Sequence, residues 1–147
     1  MNNKKIVLIG NGGVGKTTWV KSIYGNFDES YKPTLGVEVH PITYGDTRFN
    51  IWDTAGQEKF AGLRDGYYTG ADYAIVMFDW SQPLTIKNIP RWVNDFKRLM
   101  PSKPVIIVGN KLELANDTSK QLLAQMGVPY ISISARHKMN NLLPLMY

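Results

Sequence analysis

Cysteine is absent from these 147 residues, which excludes disulfides, thiol-ligated metal and a prenyl or palmitoyl group carried on cysteine, so no membrane anchor is expected. No apolar run approaches the ~20 residues that a spanning helix needs; the longest, such as Ala74–Phe78, are strand-sized. Met1-Asn-Asn-Lys-Lys5 runs straight into an apolar stretch, so neither a signal nor a transit peptide is expected. Internal repeats, low-complexity tracts and linkers are also missing. Charge of one sign is not concentrated anywhere. The net charge is +5, but the basic residues are scattered, and Arg91, Lys97, Arg98 and Lys103 fall on and after one helical segment. That pattern reads as a solvated helix face, and direct contact with nucleic acid is not expected.

What is present is the composition of one globular domain with a real core, 44% hydrophobic and 20% charged. Strands are predicted at Lys5–Ile9, Val37–Tyr44, Arg48–Trp52, Tyr73–Asp79, Val105–Gly109 and Tyr130–Ser134. Four are continuous Val/Ile-rich runs, as in a parallel sheet covered on both faces. The second alternates, contains Pro41 and joins the third through Gly45-Asp46, the pattern of an antiparallel edge hairpin. Helices are predicted at Lys16–Tyr24, around Gly62–Thr69, and at Ile86–Met100, Thr118–Met126 and Asn140–Tyr147. In the third, Ile86, Ile89, Val93, Phe96 and Met100 share a face, and Pro90 and Pro101 shape or stop it. The expected fold class is α/β: a three-layer sandwich with a six-stranded, mostly parallel sheet, one antiparallel edge strand and helices on both faces.

Gly10-Asn-Gly-Gly-Val-Gly-Lys-Thr17 follows the apolar run Ile6–Ile9 and opens a helix. It matches G-x-x-x-x-G-K-[ST] in the strand-to-helix context that makes a phosphate-binding loop credible. The glycines let the backbone turn so that its N–H groups face phosphate oxygens. Asn11, Gly12, Gly13, Val14, Gly15, Lys16, Thr17 and Thr18 are therefore candidate phosphate contacts. Lys16 can reach β- and γ-phosphates, and the Thr17 hydroxyl can ligate the Mg²⁺ that a nucleoside triphosphate carries.

Asp53-Thr-Ala-Gly-Gln57 ends the third strand, 37 residues after Lys16. Asp53 can hold Mg²⁺ through water, Gly56 can bring its N–H close to a γ-phosphate, and Gln57 can orient an attacking water. Thr34, in the loop before the edge strand, is a candidate for a further Mg²⁺ ligand and γ-phosphate contact. Base recognition is expected at Asn110-Lys111-Leu112-Glu113 after the fifth strand. Asn110 can bond the ring, the Lys111 stem can lie along the base plane, and the Glu113 carboxylate can accept from N1–H and N2–H₂ of guanine, a donor pair adenine lacks. Ser134-Ala135-Arg136, after the last strand, offers a backbone N–H to guanine O6.

With these five stations in order, the chain resembles the small GTPases of the Ras superfamily over essentially its whole length, and within it the Ran family. Thr34-Leu-Gly-Val-Glu-Val-His-Pro41, Trp52-Asp-Thr-Ala-Gly-Gln-Glu-Lys-Phe60 and Gly62-Leu-Arg-Asp-Gly-Tyr-Tyr68 carry that resemblance. It implies that Phe27 packs on the guanine edge, that 28–34 and 53–68 are the two switch segments, and that Gln57 is the hydrolytic glutamine. It further implies a GTP/GDP-operated switch, monomeric, shared between nucleus and cytoplasm. Its implied partners are karyopherin-type transport receptors, an exchange factor and a GTPase-activating protein. Glu113 stands where the family has Asp, one methylene and so roughly 1.3–1.5 Å longer, and Arg136 replaces a Lys. The last helix is expected to be short, without the Ran family's acidic tail. Two other classes compete: a P-loop phosphotransferase, which usually needs a lid of several arginines where this chain has five, none grouped, and a nucleotide-holding mimic that binds transport receptors without cycling.

Overall fold

The computed structural model describes residues 2–24, 38–53 and 64–146. In chain order the elements are β1 (Asn2–Gly10), α1 (Lys16–Tyr24), β2 (Glu38–Tyr44), β3 (Thr47–Asp53), α2 (Arg64–Tyr68), β4 (Tyr73–Asp79), α3 (Pro83–Lys87), α4 (Ile89–Leu99), β5 (Val105–Asn110), α5 (Asp117–Met126) and β6 (Ile131–Ser132). The strands form one sheet in the order β2-β3-β1-β4-β5-β6. Every pairing is parallel except β2 with β3, the edge hairpin that the alternation and Gly45 predict. Its rungs run from Glu38 opposite Asp53 to Tyr44 opposite Thr47.

Side chains that alternate along a strand point to opposite faces, and here both faces are covered. Ile6 and Leu8 of β1 enter one core with Trp19 and Val20 of α1. Val7 and Ile9 enter the other, with Trp92 and Phe96 of α4 and Leu123 of α5. The continuous apolar runs follow from this, because no position in β4 faces solvent. α2 is held against the second core by Tyr68, whose hydroxyl donates to Asp95 Oδ2 at 2.7 Å. Just beyond it, Lys5 Nζ donates to the Thr69 carbonyl at 2.8 Å and lies 3.7 Å from the Trp52 ring centroid. That half-buried position lowers the Lys5 pKa to about 8 through desolvation. No helix among the described residues is long and apolar enough to cross a membrane.

Three predicted elements differ. The helix expected at Ile86–Met100 is two, α3 and α4, with Asn88 between them and Pro90 in the first turn of α4. Proline lacks the N–H an unbroken helix would need there, yet suits a helix start. The last strand pairs over Ile131–Ser132 alone, because Ser134 turns back to bridge Met139. The helix expected from Asn140 is absent from residues 140–146. Asn140 sits at φ 59, and only a 3₁₀ turn, Leu143–Leu145, forms around Pro144. This segment still docks: Trp19 Nε1 donates to the Asn141 carbonyl at 2.8 Å, the Tyr73 hydroxyl to that of Pro144 at 3.0 Å, and Leu145 is buried.

Gly109, near the end of β5, leaves room for Phe78 and Trp80 of the neighbouring strand end. A Cβ there would lie closer than 3.0 Å to both rings, which pack edge-on at 5.1 Å between centroids. Gly109→Ala is expected to cost about 1–3 kcal/mol of stability through overpacking, read as a lowered midpoint in thermal or urea unfolding.

Candidate functional site

The carboxyl ends of β1, β3, β4 and β5 lie side by side in the sheet, and each delivers one loop to the same edge, where open α/β sheets bind ligands. From β1 comes the turn 11–15, which ends as α1 begins at Lys16. Lys16 is buried, and its ammonium arcs back over the turn to donate to the carbonyls of Gly10 at 2.5 Å and Asn11 at 3.2 Å. The charge thus sits above the loop whose N–H groups and helix start favour an anion. Asn11 is held from outside: its Oδ1 accepts from Trp92 Nε1 of α4 at 3.1 Å.

From the end of β3 comes Asp53, buried, whose Oδ2 accepts the Thr17 hydroxyl at 2.7 Å. Two hard oxygen donors in contact, one neutral and one anionic, suit the oxygen-only ligand set of Mg²⁺, so the residues fit that ion. Glu38 and His40 of the facing strand bring further ligand atoms within 4.8 Å of that of Asp53, and His40 Nε2 lies 3.2 Å from Glu38 Oε2.

From β5 comes Asn110, buried, whose amide ties three loops together. Its Nδ2 donates to the Val14 carbonyl at 3.0 Å, while Oδ1 accepts from Lys111 N at 2.8 Å and Ala135 N at 3.0 Å. One Nδ2 hydrogen is left for a ligand. The Ala135 N–H, expected to serve guanine O6, here points at Asn110. Lys111 adopts φ 60 and stretches toward the phosphate loop, where its Nζ bonds the Gly13 carbonyl at 3.0 Å and Asp79 Oδ2 at 2.8 Å. Asp79 is fixed in turn, Oδ1 accepting from the Ser81 N–H at 2.8 Å and hydroxyl at 2.6 Å.

Between these loops lies a cavity of about 340 Å³ lined by Gly15, Thr18, Asn110, Lys111, Glu113, Leu114, Ala135 and Arg136. Glu113 stands at its edge in the 3₁₀ turn Leu112–Leu114. Partial desolvation pushes its pKa up. Its own backbone N–H, the Ser134 hydroxyl and the nearby His137 and Arg136 outweigh that, and the net shift is downward. The carboxylate is therefore ionised at neutral pH.

A sequence model of the Ras family matches residues 5–143. The chain belongs to the Ras family. Membership brings a GTP-binding switch domain of the kind that hydrolyses GTP with Mg²⁺, and Ras-superfamily proteins generally engage exchange factors, activating proteins and effectors. In this Ras-family domain the structure gathers Asn11 to Thr18, Asp53, Asn110, Lys111, Glu113, Ser134, Ala135 and Arg136 around one edge. Phe27, Thr34, Gly56 and Gln57 lie outside the described residues. Sequence reasoning passed over Asp79, Trp92 and His137, each of which holds a predicted site residue. Asp79 had a signal, since an acidic residue closing an otherwise apolar strand calls for a cationic partner; Trp92 and His137 had none.

Proposed function

We propose that this chain is a GTP/GDP-operated switch of the Ran type, hydrolysing GTP slowly by itself and acting in nucleocytoplasmic transport. The observation that carries the nucleotide part is the triple bond set of Asn110, which joins the phosphate loop at Val14 to the base-side loop at Ala135. One rigid amide thereby spaces a phosphate cradle from a purine-sized cavity. The Ran part rests on the text of residues 34–41, 52–60 and 62–68.

In this reading Lys16 and the N–H groups of 12–18 bind the β- and γ-phosphates, and Phe27, Asn110, Lys111, Glu113 and Ser134–Arg136 hold the guanine. Thr17, Thr34 and, through water, Asp53 would hold Mg²⁺, which when bound neutralises charge between the β- and γ-phosphates. Gln57 orients the water that attacks the γ-phosphorus, giving GDP and phosphate. Thr34 and Gly56 tie the switch segments to the γ-phosphate, and hydrolysis removes that tie. Neither the phosphate loop nor residues 28–34 contain an arginine to stabilise the transition state in cis, so a partner must supply one. Partners of the Ran type follow: karyopherin-type receptors, an exchange factor and an activating protein.

Single-turnover hydrolysis tests this. Intrinsic turnover is expected to be slow, and a Ran-type activating protein to raise it by about 10³–10⁵-fold, the range for an arginine given in trans. Tight binding with no stimulation would instead identify a nucleotide-holding mimic.

A further inference from the structure

Two sets of bonds grip the turn 11–15. One comes from the end of β5, where Asn110 Nδ2 bonds the Val14 carbonyl and Lys111 Nζ the Gly13 carbonyl, each at 3.0 Å. The other comes from α4, where Trp92 Nε1 donates to Asn11 Oδ1 at 3.1 Å. The first set ends on main-chain oxygens, which any residue at 13 or 14 supplies. The Trp92 bond ends on a side chain and depends on residue type at both ends. An indole N–H only donates, so it needs the amide oxygen of Asn11 facing it. Asn11 has a second tie, because its carbonyl accepts from Lys16 Nζ at 3.2 Å. The residue that Trp92 holds by its side chain is thus one that the buried Lys16 ammonium holds by its main chain. Trp92 is itself a fixed point. Its ring is 5% exposed and packs in the second core with Ile89 and Phe96, and one turn on along α4 Asp95 takes the Tyr68 bond from α2. A bond given by a packed side chain on a helix holds its target more closely than one from a loop.

We propose that Trp92 is a positioning residue for nucleotide retention: by holding Asn11 it keeps the phosphate loop and Lys16 set on the bound phosphates, and so slows the release of GDP. This rests on the nucleotide-binding reading above. Trp92 acts through Asn11, and its effect falls on dissociation. Without the bond the Lys16 charge and the N–H groups of the loop are still present, so a nucleotide is met and captured as before. What is lost is the constraint that keeps the loop closed on it afterwards, and changes of that kind appear in the dissociation rate.

The test is displacement of N-methylanthraniloyl-GDP by excess unlabelled GDP, with Mg²⁺ present, from the parent chain, Trp92→Phe, Asn11→Ala and the double variant. Phe keeps a ring in the core and removes the N–H. Asn11 is not among the described residues with positive φ, so Ala can take its backbone. Trp92→Phe is expected to raise the dissociation rate about 3–10-fold, the scale of one net hydrogen bond between neutral groups, with the association rate within about twofold of the parent. Asn11→Ala should accelerate release to a similar degree. The double variant should release no faster than the faster single one, to within about twofold, because each change removes the same bond. A tryptophan that merely filled space would speed release by the same factor with or without Asn11. Such additivity would overturn the proposal, and so would a parent-like rate in Trp92→Phe. Should Trp92→Phe lose its cooperative thermal melt, Asn11→Ala decides alone: faster release with the fold intact supports the proposal, and an unchanged rate overturns it. Parent protein that failed to bind the labelled GDP would instead overturn the nucleotide-binding reading itself.

Discussion

Gly15→Ala is expected to weaken GDP binding by at least about 100-fold, the loss corresponding to roughly 3 kcal/mol. Gly15 sits at φ +97, and a Cβ there would fall closer than 3.0 Å to Asn110 Nδ2. Backbone strain at such an angle costs on the order of 1–3 kcal/mol for a residue with a side chain. The larger effect is geometric. Asn110 can yield only by giving up Val14, Lys111 or Ala135, and each buried group left unpaired costs about 1–3 kcal/mol more. One methyl group therefore damages the phosphate loop and the base pocket together. Calorimetric titration with GDP, beside a thermal melt of the same sample, measures both losses. An affinity within threefold of the parent protein would show that Asn110 does not hold these loops.

Gln57→Leu should do the reverse, leaving GTP affinity within about threefold while slowing hydrolysis by about 100-fold or more, the scale of losing a positioned nucleophile. Leu keeps the volume of Gln and removes the amide that would orient water. Filter binding and phosphate release under single-turnover conditions separate the two quantities. Turnover at the parent rate would remove Gln57 from the mechanism.

The elements whose limits were legible in the sequence are those set by local chemistry. α1 begins at Lys16 because the glycine-rich turn ends there, and the β2–β3 hairpin turns at Gly45-Asp46 because few other pairs accept that backbone. Pro90 was visible too, but whether it trims a helix or divides one depends on how residues 83–99 pack over β4, which periodicity does not record. The stretch from Asn140 shows tertiary override: its composition reads as helical, yet bonds from Trp19 and Tyr73 capture its carbonyls while Asn140 takes a left-handed turn. The site divides the same way. Motif spacing finds Lys16, Thr17, Asp53, Asn110 and Lys111, because phosphate, cation and purine each demand a residue type at a fixed offset from a strand end. Trp92 on Asn11 and His137 on Glu113 join residues 81 and 24 positions apart, and no local pattern announces them.

The hairpin at the sheet's edge places Glu38 and Asp53 on one rung. The stretch that enters at 38 and the stretch that leaves at 53 are thus moored to a single post, and Asp53 is lashed to Thr17 besides. A tug delivered to either mooring reaches the other across one ladder step, without passing through the rest of the molecule.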